Sequence, residues 1–183
     1  VLNNVVHLVT RYSDDPKQNI TQVKLLETTM TINPDCIAVA EMKGPESLLA
    51  VSAANTGHGV VSTTHANSCR ATYNRIVTLC KQASDMSDAT FYSLATEAFP
   101  IVAFIKRLED NTRRIMEITE CEIREDGSRK MHTLYRFVIT DTIRQDEQNK
   151  IIGHYEKVKA PSESLQQRLQ ENGMPLSTLK RFV

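Results

Sequence analysis

The sequence of 183 residues predicts an α/β fold, a parallel sheet flanked by helices and followed by an antiparallel β hairpin. Three observations predict it. Two short candidate strands, the apolar CIAVA at 36–40 and VVSTT at 60–64, lie either side of a stretch suited to a helix, the order of a βαβ unit. The hydrophobic period then shortens to two across 113–123 and 131–140, with Asp126-Gly127 between them as a turn. Between the two blocks, Ser, Asn and Pro stand where helices start and stop.

The opening NVVHLVTRY alternates as a strand does, and SDDPKQN after it has the composition of a turn. Asn19 is placed to cap a helix over 20–32, in which Ile20, Val23, Leu26 and Met30 share a face and which Asn33-Pro34 stops. Cys36 to Ala40 is continuously apolar, as in a strand covered on both faces, and it ends at Glu41. Gly44-Pro45 breaks the chain, 46–55 suits a short helix, and Gly57 and Gly59 flank the turn into the second strand. Asn67 or Ser68 caps a helix to about Ala83, Ser87 caps another that ends before Pro100, and 101–106 is a strand. Tyr135, Phe137 and Ile139 of the hairpin point to one face. Residues 141–150 are polar and loop-like, 151–159 make a short strand, and Pro161-Ser162 starts a helix that carries Leu165 and Leu169 and stops at Gly173.

Lys+Arg 22 balance Asp+Glu 22, so no basic footprint marks the chain for direct nucleic-acid binding. No apolar run approaches the ~18 residues of a membrane span. Cys36, Cys69, Cys80 and Cys121 are scattered without a CxxC, which favours packing roles, no disulfide and a reducing, intracellular setting. The chain begins at Val1 without a signal-peptide pattern and reads as a piece of something longer.

Three groups of residues carry possible chemistry. Glu41 stands at the carboxyl end of a buried strand, where open α/β sheets place their ligands. A carboxylate there either orients an attacking water or metal-bound water, or is a solvated strand-end acid. In the run from Asn55 to Asn67, His58 and His65 bracket the second strand, with Ser62, Thr63 and Thr64 adding hydroxyls. His65 falls on the same sheet edge as Glu41, where an imidazole can contact phosphate or be a satisfied polar group near a turn. Spacing of His65 and Cys69 by four gives only a weak zinc signal, and no metal ligand set is assigned. Arg70 and Arg75 on the next helix, and Arg107, Arg113 and Arg114 around the turn after IVAFIK, either solvate the surface or reach a phosphate on a neighbouring subunit, Arg75 being the preferred position. The sequence has no GxxxxGK[ST], the backbone cradle for β- and γ-phosphates, so tight ATP binding by this chain alone is not expected.

Taken together, LLETTMTINPDCIAVAEMKGPES, AANTGHGVVSTTHANS and RIVTL resemble the hexameric traffic ATPases of type II and type IV secretion, pilus assembly and conjugation. The first stretch resembles their Walker B region, which makes Glu41 the catalytic glutamate and Glu46 the second acid. The second resembles their His box, with His58 and His65 as its histidines and nucleotide sensors. AFPIVAFIKRLEDNTRRIMEITEC is similar to the later strand, Arg-rich turn and EI.E strand. Ala40 stands where the family usually has Gly, Lys43 where it has Arg, and Thr31 and Asn33 where an Arg-rich stretch is common.

The resemblance implies a partial RecA-like sheet over 1–140, downstream of the P-loop, and a C-terminal extension over 141–183. It implies ATP and Mg²⁺ as cofactors of the intact protein, none held tightly by this piece, and an arginine finger or phosphate contact from Arg75, Arg70 or Arg107. Expected partners are further copies in a hexamer and inner-membrane secretion or pilus components, with the motor in the cytoplasm against the membrane. The alternative is a non-catalytic assembly or regulatory module derived from the same family. A metal-dependent hydrolase built on His58, His65 and Glu41 is a third, weaker reading.

Overall fold

The computed structural model describes residues 4–145 and 148–182. They form two compact units. One gathers the chain up to His65 with Tyr73–Phe99; the other gathers Ala66–Thr72 with the chain from Pro100 onward.

In the first unit, α1 (Gln22–Thr31), β1 (Cys36–Val39), α2 (Glu46–Asn55) and β2 (Gly59–Ser62) follow one another, and β1 pairs with β2 in parallel, Val39 opposite Ser62. This is the expected βαβ unit. The helix starts two residues later than expected because the Asn19 amide oxygen accepts the Ser13 N–H at 2.8 Å, leaving Thr21 to cap by accepting the Lys24 N–H. Asn33, at φ +55°, ends α1 through the left-handed turn that asparagine tolerates.

Two expectations fail here. Residues 4–12 form no strand, and only an isolated bridge joins Arg11 to Ile20. Apolar alternation marks a surface suited to a sheet, but a strand also needs a run of partners for its N–H and C=O groups, and among the described residues that pairing stops at Arg11. β1 is covered on one face only: Ile37 and Val39 are buried while Cys36 and Ala38 are exposed, and Val61 of β2 is 58% exposed. The apolar run over-read the cover, because small Cys and Ala side chains tolerate either environment.

The core of this unit lies on the helices. In α2, Ala50 and Ala53 are buried and let neighbouring elements approach closely, and α1 and α4 (Asp88–Ala98) pack against that helix. Ser87 caps α4 by accepting the Thr90 N–H, as expected. Tyr73, Ile76 and Leu79 of α3 (Cys69–Cys80) are buried with Phe91, and the Tyr73 hydroxyl donates to the Phe99 carbonyl at 2.6 Å. A buried phenol needs such a partner.

The second unit is a four-stranded antiparallel sheet in the order β3 (Ile101–Arg107), β4 (Arg113–Ile123), β5 (Arg129–Gln145), β6 (Gln148–Lys157). The expected hairpin is its central pair. Gly127, at φ +75°, supplies the left-handed residue of the β4–β5 turn, and Asp126 accepts the Ser128 N–H. The stretch 141–150, expected as loop, is mostly strand: Asp141 pairs with Ile152 and Thr142 with Ile151. Backbone pairing between adjacent strands holds these polar side chains in register, information that side-chain pattern does not carry. Tyr135, Phe137 and Ile139 pair in unbroken register with Lys157, Tyr155 and Gly153, so they share a face as expected; Phe137 is buried there with Leu108 and Ile151, while Ile139, next to the register shift at Ile139/Asp141, is 45% exposed. At Gly153 a Cβ would stand 2.4 Å from the Val138 carbonyl oxygen and 2.6 Å from the Phe137 ring, so only glycine fits.

Two acids of the EITE stretch serve helix starts, one directly and one through the cap residue. Glu117 accepts the N–H of Cys69, the first residue of α3, at 3.0 Å. Glu120, 1% exposed, accepts the Ser162 N–H at 2.9 Å and the Ser162 hydroxyl, and Ser162 in turn caps α5 (Glu163–Glu171). Beyond it, Gly173 has φ +86°, and α6 (Leu176–Leu179) follows. Burial pushes the Cys69 thiol up to about 12 and the Cys80 thiol up to about 11, so both behave as packed apolar groups. Among the described residues no helix is long and apolar enough to cross a membrane.

Candidate functional site

Because β1 and β2 are parallel, their carboxyl ends share one edge, and the residues that follow them meet there. Past β1 come Ala40, Glu41 and Met42; past β2 come Thr63, Thr64 and His65. Glu41 Oε1 lies 3.1 Å from His65 Nε2, and Glu41 Oε2 lies 3.9 Å from Lys43 Nζ. The Glu41 side chain is 34% exposed and that of His65 is 95% exposed. The pair therefore faces solvent, with one carboxylate oxygen engaged by the imidazole.

The backbone beneath Glu41 is tied down on every side. The Thr63 hydroxyl donates to the Ala40 carbonyl at 2.6 Å, and the Gln22 amide donates to the Glu41 carbonyl at 2.9 Å. The Met42 N–H donates to the Thr63 carbonyl and the Met42 carbonyl accepts the Thr64 hydroxyl, both at 2.8 Å. Glu46 Oε1 accepts the N–H groups of Lys43 and Gly44 at 2.8 and 2.7 Å. Met42 itself is buried and anchors the loop from below.

Of the acids and histidines singled out by sequence, the edge unites Glu41 and His65. Glu46 belongs to the same loop but is buried, its carboxylate turned onto backbone N–H groups. His58 is at the opposite end of the four-residue strand β2, roughly 13 Å of extended chain away. Its Nδ1 donates to the Ala53 carbonyl at 3.2 Å, closing the turn after α2, and its Nε2 is buried with no partner among the described residues. Arg75 is exposed on α3 in the first unit; Arg70 and Arg107 are exposed in the second, and Arg107 donates to the Asn111 side-chain oxygen at 2.7 Å. Arg114 lies with its guanidinium 5.3 Å from the centre of the Phe137 ring. Among the described residues no group of three or more His, Cys, Asp or Glu is arranged to hold a metal ion.

Sequence reasoning missed Gln22, which reaches the Glu41 carbonyl across nineteen positions from the start of α1. No local pattern marks it. Thr63 and Thr64 were visible as hydroxyls, but their acceptors are carbonyls on the neighbouring strand, which only the parallel register reveals.

A family model described as type II/IV secretion system protein matches residues 3–178. The chain belongs to that family. Among curated members, it is 31% identical over 104 residues to the conjugal transfer protein TrbB of Rhizobium radiobacter, covering 56% of this chain and 31% of that protein. It is 30% identical over 122 residues to the type IV pilus assembly ATPase PilB of Acinetobacter baylyi, covering 65% of this chain and 20% of that one. Against the crystal structure of the VirB11 ATPase from the Brucella suis type IV secretion system, in complex with sulphate, it superposes with a TM-score of 0.51 at 26% identity, covering 55% of this chain and 32% of that chain. This secretion-system chain thus spans less than a third of the length of the curated relatives it matches. Its mixed α/β architecture, a small parallel sheet plus a four-stranded antiparallel one, accords with the VirB11 match.

Proposed function

We propose that the chain is the C-terminal part of a RecA-like motor domain, a piece of a hexameric ATPase that drives type II or type IV secretion, pilus assembly or conjugative transfer. The observation that carries the reading is the Glu41–His65 pair, 3.1 Å apart and open to solvent at the carboxyl edge of a parallel sheet. Family membership and the ATPases among its relatives support the same chemistry.

The residues present fit the hydrolytic half of an ATP site. Glu41 keeps an oxygen free of the imidazole and is one-third exposed, as a base that takes a proton from water must be. His65 is exposed beside it and offers ring nitrogens to a phosphate oxygen. Mg·ATP, when bound, supplies the phosphoryl group and the charge that these residues answer. The phosphate cradle is not among these 183 residues, so it comes from elsewhere in the intact protein. Exposed Arg75 is the arginine we assign to the neighbouring protomer's nucleotide, with Arg70 and Arg107 as the other two positions. Assembly in a ring at the cytoplasmic face of the membrane, against secretion or pilus components, follows from the family reading.

The experiment compares ATP turnover by this chain with turnover by the chain plus the segment encoded upstream of Val1, each with and without Glu41→Gln. Turnover confined to the extended form, and cut about a hundredfold or more by Glu41→Gln, is expected. An extended form that binds ring partners but does not turn over ATP would make the chain a non-catalytic assembly module.

A further inference from the structure

We propose that Glu46, Thr63, Thr64 and Gln22 are positioning residues whose joint task is to hold the Glu41 backbone so that its carboxylate meets His65. The proposal rests on the reading of Glu41 as the water-activating acid, and it changes what the second acid does.

A loop that leaves a strand end exposes backbone groups the sheet no longer satisfies, and each unpaired one invites the loop to relax toward water. From Ala40 to Gly44 five of those groups are taken up by side chains from three separate segments, and the Met42 N–H by the Thr63 carbonyl. Thr63 and Thr64 come from the end of β2, Gln22 from the start of α1 and Glu46 from the first turn of α2. The carbonyls of Ala40, Glu41 and Met42 all receive donors, and the N–H groups of Met42, Lys43 and Gly44 all find acceptors. A side chain carried by such a backbone has little freedom beyond its own rotamers, which is the preorganisation that a catalytic base needs.

Chemistry divides the labour among these polar groups. Glu46 is 5% exposed and its Oε1 accepts two N–H groups, so it is not open to water or a metal ion in the way Glu41 is. Both threonine hydroxyls have their single proton committed to a carbonyl, so neither is a donor for phosphate. Gly44 records the closeness of the fit: a Cβ there would stand 2.8 Å from Glu46 Oε2 and push the carboxylate off the loop.

The test uses the 183-residue chain without nucleotide and reads two quantities, amide exchange at Met42, Lys43 and Gly44, and the NMR signals of the His65 imidazole. Glu41→Ala gives the reference position of those signals with the pair broken. In Glu46→Ala, exchange at Lys43 and Gly44 rises about tenfold or more, and the His65 signals move most of the way to the reference. Thr64→Val and Gly44→Ala, milder changes that keep the test alive if Glu46→Ala does not fold, move the signals in the same direction by less. Glu46→Gln, which keeps an acceptor oxygen, restores part of the wild-type position. If exchange rises while the His65 signals stay put, the four side chains merely hold a loop and the proposal is overturned; if neither changes, it is overturned as well. Neither readout depends on hydrolysis, so a failure here leaves the ATPase reading to turnover, and loss of that reading leaves the geometry of the loop as measured.

Discussion

The edge beyond β1 and the middle of β4 both carry glutamates, and they use them in opposite ways. On β4, Glu117 is committed to the first N–H of α3 and Glu120, almost wholly buried, to the N–H and hydroxyl of Ser162, the cap of α5. At the β1 edge, the buried Glu46 does the same for its own loop, while Glu41 keeps a solvent-facing carboxylate whose backbone is satisfied by others. What separates an acid that holds structure from one available for chemistry is therefore not its type or its neighbours in sequence. It is whether backbone donors have claimed its oxygens, since a carboxylate that accepts buried N–H groups costs too much to release.

The sharpest way to break this contrast is Glu120→Ala. It strips the Ser162 N–H and hydroxyl of their acceptor and frees the residue that caps α5, and we expect a loss of about 3 kcal/mol in urea unfolding. A loss within about 0.5 kcal/mol would mean that buried capping by this acid does not hold the second unit together.

An acid titration tests the same contrast at intermediate strength. Hydrogen bonding from His132, at 2.5 Å, holds the Glu122 carboxyl below its ordinary value of 4.5, with the charges of His132, Arg124 and Lys159 adding to it. A carboxyl held down in the folded state contributes stability that is present above its unfolded value and lost as pH falls through the folded one. Wild-type stability should thus fall more steeply below pH 4.5 than that of Glu122→Gln, followed by unfolding at stepped pH. Parallel curves would remove Glu122 from the structural acids.

The smallest effect is expected at the acid proposed to be catalytic. Glu41→Gln touches an exposed pair, so its unfolding free energy should stay within about 0.5 kcal/mol of wild type. Together with a large loss of turnover in the extended protein, that result would mark Glu41 as the functional member of the set; a large destabilisation would move it to the structural side.

Much of the fold was legible in the sequence because local rules and tertiary demands agree. Ser87 and Ser162 cap the helices they precede, Asp126-Gly127 turns the hairpin, and the candidate strands at 36–40 and 60–64 pair in parallel. The first residues mimicked a strand by pattern alone, and 141–150 hid one behind polar side chains, since pairing is a backbone matter that side-chain pattern reports only when one face is buried. Of the candidate site, the ordered boxes around Glu41 and His65 pointed to the family and to the sheet edge where those two residues meet.

The sequence by itself determined the βαβ order, the Ser87 and Ser162 caps and the two residues that meet at the strand ends, because each depends on contacts within a few positions or on the fixed rule that parallel strands end together. Tertiary structure alone decided that Glu46 serves its loop, and that Gln22 and two threonines bond the backbone around Glu41. Those roles depend on which donor reaches which acceptor in three dimensions, and side chains separated by about twenty positions acquire partners only when the chain has folded.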